Sequence, residues 1–209
     1  MKTAGTCAAC ERECPKAAMA KHLAACPKRP PDGATRLHIV VEGNPPSTFW
    51  MHLAANPSAK LADLDRFLRA IWLECCGHLS VFRIGAIAYS SSDTDLPGRN
   101  MRATLEKVLR PGLKFGYEYD FGSTTTLKLG VVGTCGAVAG DGAIHLLARN
   151  NPPALVCHCG TPATEVCTEC AWDGEGWLCA ACAAEHACGE ELLLPVVNSP
   201  RVGVCGYTG

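Results

Sequence analysis

Residues 114–132 read KFGYEYDFGSTTTLKLGVV. Apolar and polar side chains alternate through 114–120 and again through 124–132, which is the period of a strand. The two runs meet at Phe121-Gly122-Ser123, so the stretch predicts a β-hairpin. A hairpin of this kind commits its neighbourhood to an antiparallel sheet.

The flanking sequence extends the same pattern. Residues 36–42, RLHIVVE, alternate and are rich in β-branched side chains, and residues 48–54, TFWMHLA, follow the Asn44-Pro45-Pro46 turn as a hairpin partner. Leu61, Leu64, Phe67, Leu68, Ile71 and Trp72 recur at helical spacing and predict a helix over about 60–75. Residues 80–89 read as short strands broken at Gly85, and a last strand is expected at about 143–148. Strands outnumber helices. The expected fold class is α+β, a mainly antiparallel sheet with one packed helix, flanked by two small zinc-stabilised modules.

Punctuation in the chain divides it into three segments. Pro27, Pro30, Pro31, Asp32 and Gly33 mark one linker, and Asn150, Asn151, Pro152 and Pro153 mark another. The segments run over about 1–30, 35–150 and 154–209. A chain of 209 residues is long enough for one core of about 100–150 residues with small appendages. Charged residues make up 19% and hydrophobic ones 48%, a globular composition that excludes a disordered chain. The formal net charge of −1 gives the whole molecule no bias toward nucleic acid or anionic membrane. No apolar run reaches the roughly 20 residues that span a bilayer. The first residues, MKTAGTCAACERECPK, carry charges and cysteines where a signal peptide needs an apolar stretch, so the expected location is cytoplasmic.

Fifteen cysteines are too many for an ordinary cytosolic core. Four fall within residues 7–26 and eight within 157–205, and only Cys75, Cys76 and Cys135 lie between. A disulfide scaffold would staple the whole chain. This distribution instead marks two short ends, too small to fold on apolar burial alone, that use metal.

At the amino end, Cys7-x-x-Cys10 is followed, after eleven intervening residues, by His22-x-x-x-Cys26. The first pair sits on a tight turn with both thiols toward one ion. The 16–25 stretch is alanine-rich and helix-prone, and on a helix His22 and Cys26 share a face. Met19 and Leu23 give that helix an apolar side to cover the site. Cys7, Cys10, His22 and Cys26 are a tetrahedral zinc set, and the spacing resembles the two-Cys, His-Cys variant of the zinc finger. Cys14 is a spare ligand. Zinc in such a peptide supplies the folding energy itself, about 10–16 kcal/mol in apparent terms.

At the carboxyl end the candidates come in pairs: Cys157-x-Cys159, Cys167-x-x-Cys170, Cys179-x-x-Cys182 and His186-x-Cys188. Eight ligands serve two tetrahedral zincs, which makes about three zincs per chain, each with a full protein ligand set and no open catalytic position. The arrangement resembles the B-box and related cross-brace zinc modules. That resemblance implies one site of Cys157, Cys159, Cys179 and Cys182 and another of Cys167, Cys170, His186 and Cys188. Spacing alone also admits sequential pairing. The first pair has one intervening residue where the family has two, and that residue, His158, can substitute for a cysteine. Residues 178–186 look like the short helix that carries the later ligands, and Trp172 and Trp177 are expected to cover the small core.

The two ends differ in charge. Residues 1–36 carry net +4, while residues 151–209 carry net −6, with Arg201 against seven acids. Thiolate ligands deepen the negative charge of the carboxyl end, which should repel phosphate backbones and suit a protein partner. The basic finger admits a nucleic-acid contact, although its helix presents mainly alanines where groove-reading fingers carry base-contacting side chains.

Two blocks in the middle segment carry a family resemblance. LADLDRFLRAIWLECCGHLSVFRIG (61–85) precedes LRPGLKFGYEYDFGSTTTLKL (109–129). The first contains a leucine-patterned helix and then His78-Leu79-Ser80-Val81-Phe82; the second contains Tyr117 to Gly122. Residues 36–133 thus resemble the Ri-plasmid open-reading-frame-three-like family (plasmid ORF-three-like), found on plasmids and other mobile elements as well as chromosomes. The resemblance implies a fold and no particular reaction. Many relatives continue with an acid and a tryptophan where this chain has Gly122-Ser123-Thr124-Thr125.

Cys75, Cys76, His78 and Asp120 are the remaining groups with chemistry. A thiol near an imidazole and a carboxylate can act as a nucleophile, which makes a cysteine-dependent enzyme the alternative function. The plainer account is a helix end with buried thiols, and an aspartate that caps the Phe121-Gly122 turn. Cys205 is left over; it is either a spare zinc ligand or packs against the middle domain near Cys75 and Cys76 as a third cysteine cluster. Cys135 shows no ligand spacing. The expected function is a zinc-binding interaction protein that touches no membrane, with a cysteine-dependent enzyme built on Cys75, Cys76, His78 and Asp120 as the alternative.

Overall fold

A computed structural model of the chain describes residues 3–28, 34–44, 48–92, 98–136, 140 and 142–209, leaving aside the side chain of Trp172. The linker residues 29–33 and the prolines of the 44–46 turn lie outside the described residues.

In chain order the elements are β1 (Ala4–Cys7), β2 (Glu13–Pro15), α1 (Lys16–Ala24), β3 (Arg36–Gly43), β4 (Trp50–Ala55), α2 (Leu61–Leu68), β5 (Ser80–Ile84), β6 (Ile87–Ser90), β7 (Arg99–Asn100), α3 (Leu105–Val108), β8 (Lys114–Tyr119), β9 (Thr125–Cys135), β10 (Ile144–Asn150), β11 (Glu165–Cys167), β12 (Trp177–Leu178), α4 (Ala180–Ala184) and β13 (Leu193–Pro195). Ten strands form one sheet in the order β2-β1-β10-β4-β3-β9-β8-β5-β6-β7, antiparallel throughout except between β6 and β7. The chain is α+β, with a large, mostly antiparallel sheet and few helices.

The hairpin of β8 and β9 lies near the middle of this sheet, in register from Lys114↔Gly130 to Tyr119↔Thr125. Phe115, Tyr117 and Tyr119 alternate inward on β8, and Leu127, Leu129 and Val131 do so on β9. At the turn Asp120 adopts φ 63, a left-handed conformation that Asp tolerates, and its Oδ1 accepts a hydrogen bond from Gly122 N–H at 2.9 Å. At β5–β6 the chain reverses at Gly85, φ 59.

α2 lays Leu61, Leu64 and Leu68 onto the front of the sheet, against Ile39, Leu53, Phe82 and Tyr117. Its start is capped by Asp63, whose carboxylate accepts Lys60 N–H at 2.9 Å. The 60–75 helix of the sequence reading keeps its apolar spacing but not its hydrogen bonding: after Leu68 the turn Arg69–Leu73 is π-helical. Apolar periodicity cannot separate these bonding patterns over a single turn. Arg69 is held there by Asp65 and Glu74, each at 2.9 Å.

β4 is buried at all six positions. A strand covered on one side shows alternate burial, so β4 must be covered on both. Met51, Leu53 and Ala55 face the α2 core. Trp50 and Ala54 face the back, where they pack with Met19 and Leu23 of α1. The amino-terminal hairpin also continues the sheet, since β1 pairs with β10 from Gly5↔Asn150 to Cys7↔Ala148.

The carboxyl end forms a three-stranded sheet, β12-β11-β13. The tail beyond it returns to the large sheet domain. Asn198 exchanges hydrogen bonds with Asn150 at 2.7 and 3.0 Å, and Ser199 Oγ donates to the Trp72 carbonyl at 2.6 Å. No described helix is long and apolar enough to cross a membrane.

Candidate metal centres

Both ends build their sites on tight turns. At the amino end the chain doubles back after β1 with Glu11 at φ 61. Glu11 N–H donates to the Cys7 carbonyl at 2.9 Å and Cys7 N–H to the Arg12 carbonyl at 3.0 Å, which fixes Cys7 and Cys10 together. α1 carries His22, and Cys26 follows just past the helix end. The ligand atoms of Cys7, Cys10, His22 and Cys26 all lie within 4.8 Å of one another. Met19 and Leu23 pack over the thiols, and Cys14 is buried in the same packing without being one of the four.

At the carboxyl end, Cys157 and Cys159 lie on a turn closed by Gly160 N–H to the Cys157 carbonyl at 2.8 Å. Cys167 ends β11, Cys170 opens a 3-10 turn, Cys179 precedes α4, Cys182 lies within it, and His186 and Cys188 follow. The grouping is cross-braced: Cys157, Cys159, Cys179 and Cys182 converge, and Cys167, Cys170, His186 and Cys188 converge separately. His158 Nδ1 is 3.7 Å from Cys157 Sγ but stands outside the four. Gly176, φ 92, lets the loop before β12 close over the Cys167–Cys170 turn, because a Cβ there would come within 2.9 Å of Cys170 Cβ. Among the described side chains, Leu178 and Ala183 with Leu192 and Leu193 pack around the cysteines; Trp177 is half-buried on β12 and is not among them. The Trp172 side chain lies outside the described residues.

The spacing of these groups tests whether zinc fits. With Zn–S near 2.3 Å and Zn–N near 2.1 Å, a tetrahedron sets sulfurs about 3.8 Å apart and sulfur and nitrogen about 3.6 Å apart. Cys7 and Cys26 stand at 3.9 Å, Cys159 and Cys179 at 3.7 Å, and Cys170 and Cys188 at 3.7 Å. Cys10 Sγ is 3.3 Å from His22 Nε2, and Cys170 Sγ is 3.5 Å from His186 Nε2. All fifteen cysteines are free. The groups fit a tetrahedral ion.

Protons are shared unevenly among the thiols. Hydrogen bonds from the Thr161 side chain and backbone pull Cys159 down to about 6. Burial opposes ionisation of Cys167, but donors at Cys170, His186 and Glu169 outweigh it and bring it to about 7. Hydrogen bonding to neighbouring sulfurs, Cys188 for one and Cys157 for the other, pushes Cys170 and Cys182 up to about 12. Each C-terminal group of four thus includes a thiol that ionises readily and one that a bound cation would have to strip of its proton.

The middle-domain candidates also come together. Cys75, Cys76 and His78 follow the π turn, and Cys205 of the returning tail joins them, all four ligand atoms lying within 4.8 Å. Asp120 lies alongside, but its carboxylate is committed: Oδ2 accepts from Arg201 Nη2 at 2.7 Å and Oδ1 from Gly122 N–H. Hydrogen bonding to Cys205 and Cys75 pushes the Cys76 thiol up to about 11, away from the low value a cysteine nucleophile needs. Cys135 packs at the edge of the amino-terminal cluster. Sequence reasoning overlooked Arg201, which is fully buried and also donates to Ser123 O and Thr125 Oγ1. Its one signal was to be the sole Lys or Arg of an acidic segment.

No family model and no curated protein matches the chain. Among solved structures, it is similar to a protein of unknown function from Methanosarcina mazei Go1. That match has a TM-score of 0.48 and 15% identity, over 63% of this chain and 78% of the other.

Proposed function

We propose that this chain is a zinc-organised interaction protein of the reducing cytoplasm. One zinc belongs at Cys7, Cys10, His22 and Cys26, and two belong in a B-box-like module at the carboxyl end. The observation that carries this reading is that three sets of four Cys and His side chains converge at tetrahedral spacing. Thiolate and imidazole donors in that geometry select zinc over harder cations. Elemental analysis of the purified chain tests it; three or more zincs are expected, and one or none would overturn the reading.

The carboxyl module is the expected protein contact. Arg201, its sole Lys or Arg, is fully buried, so the seven acids of residues 151–209 face no exposed Lys or Arg from the same segment. Such a surface repels phosphate and favours a basic protein partner. The finger exposes Arg12, Lys21 and Lys28 and is the candidate nucleic-acid contact. Titration with duplex DNA and with RNA at low salt decides that branch. Binding that falls steeply as salt rises supports it, and no binding at low salt removes it.

The middle segment reads as a domain of the Ri-plasmid open-reading-frame-three-like family. In support, both motif blocks enter one core, Leu64, Leu68 and Trp72 from the first against Tyr117, Tyr119 and Leu127 from the second.

A further inference from the structure

We propose that Cys75, Cys76, His78 and Cys205 form a fourth zinc site, which staples the carboxyl-terminal tail to the sheet domain. Cys76 Sγ and Cys205 Sγ are 3.8 Å apart, and Cys205 Sγ is 3.6 Å from His78 Nε2. These are the separations that a zinc tetrahedron sets, about 3.8 Å between sulfurs and about 3.6 Å from sulfur to nitrogen. A disulfide would need the sulfurs at about 2.05 Å.

The surroundings are those of a metal-bound histidine. His78 turns Nε2 toward the thiols and Nδ1 toward Asp120, whose Oδ1 is 3.6 Å away. That separation is longer than a hydrogen bond, but the negative charge beside Nδ1 favours the tautomer with its proton there and leaves Nε2 as the ligand. Tyr119 holds the ring edge-on, with centroids 5.8 Å apart. Gly77, φ 72, brings the chain back after Cys76, and its N–H donates to Glu74 Oε1 at 2.6 Å.

A cationic side chain is also in place. Three thiolates and a neutral imidazole around a divalent cation leave one net negative charge, and Asp120 adds another. Arg201 touches both groups and offsets one of the two charges: Nη2 lies 2.7 Å from Asp120 Oδ2 and 3.4 Å from Cys75 Sγ. A fully buried guanidinium facing a neutral thiol gains little, whereas one facing a thiolate on zinc makes a charge-assisted hydrogen bond. Cys205 itself sits at φ 55, a conformation that costs energy for a residue with a Cβ and persists where surrounding contacts impose it. The tail is placed for the purpose by Ser199 on the Trp72 carbonyl and by Tyr207, which is buried.

The site closes a loop between Cys76 and Cys205, 129 positions apart in sequence. The test is elemental analysis of the full chain alongside Cys205→Ser, His78→Gln and a Cys135→Ser control. Cys205 is exposed, so its loss leaves the core intact, which circular dichroism verifies. The expected result is one zinc fewer per chain in Cys205→Ser and in His78→Gln than in the parent, and no change in the control. Equal zinc in parent and Cys205→Ser would overturn the fourth site without touching the other three, whose standing depends on the absolute count. Asp120→Asn should weaken the hold on that one zinc about 10–100-fold in competition with a chromophoric chelator; unchanged affinity would remove Asp120 from the site.

Discussion

His38 and His52 stand side by side on β3 and β4, on the sheet face that α1 covers. Both are almost fully buried, with His38 Nε2 2.9 Å from His52 Nδ1. Burial first, then the charges of His38 and Lys16, hold the His52 imidazole down to about 3. An unfolded histidine takes its proton near pH 6.5. Below that value the unfolded chain binds a proton that the folded chain refuses. The stability contributed by neutral His52 is therefore full above about pH 6.5 and is lost as pH falls toward 3. Between roughly pH 7 and pH 5.5 the loss is about 1 kcal/mol for one such group. His52→Gln can keep a hydrogen bond to His38 and removes the titration. Urea melts at both pH values, with zinc in excess, should show a flatter pH dependence for the variant; equal slopes would refute the role given to His52.

At the scale of elements, β1 joins the sheet only because residue 5 has no side chain. A Cβ on Gly5 would collide with the Arg149 carbonyl and lie 2.5 Å from Trp50 Cη2. Gly5→Val should therefore push β1 off β10 and loosen the finger, at a cost of about 1–3 kcal/mol, read as a lower melting temperature and faster amide exchange in residues 4–7. Unchanged exchange there would show that the edge gives way without strain. None of this pairing was legible in the sequence. AGTC is short, weakly apolar and without alternation, so nothing local marks it as a strand. The hairpins over 36–55 and 114–132 and the apolar face of α2 were legible, because each depends on a period read within one stretch. The same locality explains the candidate metal ligands. The four at the amino end fall within 20 residues and the carboxyl eight within about 32, so spacing alone brings them together. Cys205 and Arg201 act across more than 70 residues of chain, and spacing says nothing at that distance.

Across the whole molecule, the proposed metal sites would give stability two sources that chelation should separate. The sheet centred on β3, β9 and β8 is held by its own apolar core, in which Ile39, Tyr117, Leu127 and Trp72 are fully buried. The ends hold small clusters in which cysteines make up much of the buried material. Without a cation those thiols lose what draws them together, while the central core loses nothing directly. Local opening should then follow metal dependence rather than position in the sequence. Hydrogen exchange before and after treatment with a strong chelator is expected to show α1 and α4 losing protection, with β3, β8 and β9 retaining it. The tail should respond as well, because Arg201 bonds both to Asp120 and to the Cys75 thiol. A uniform loss of protection would mean that the ends and the sheet unfold as one unit, and no loss at α1 or α4 would mean that packing alone holds the ends.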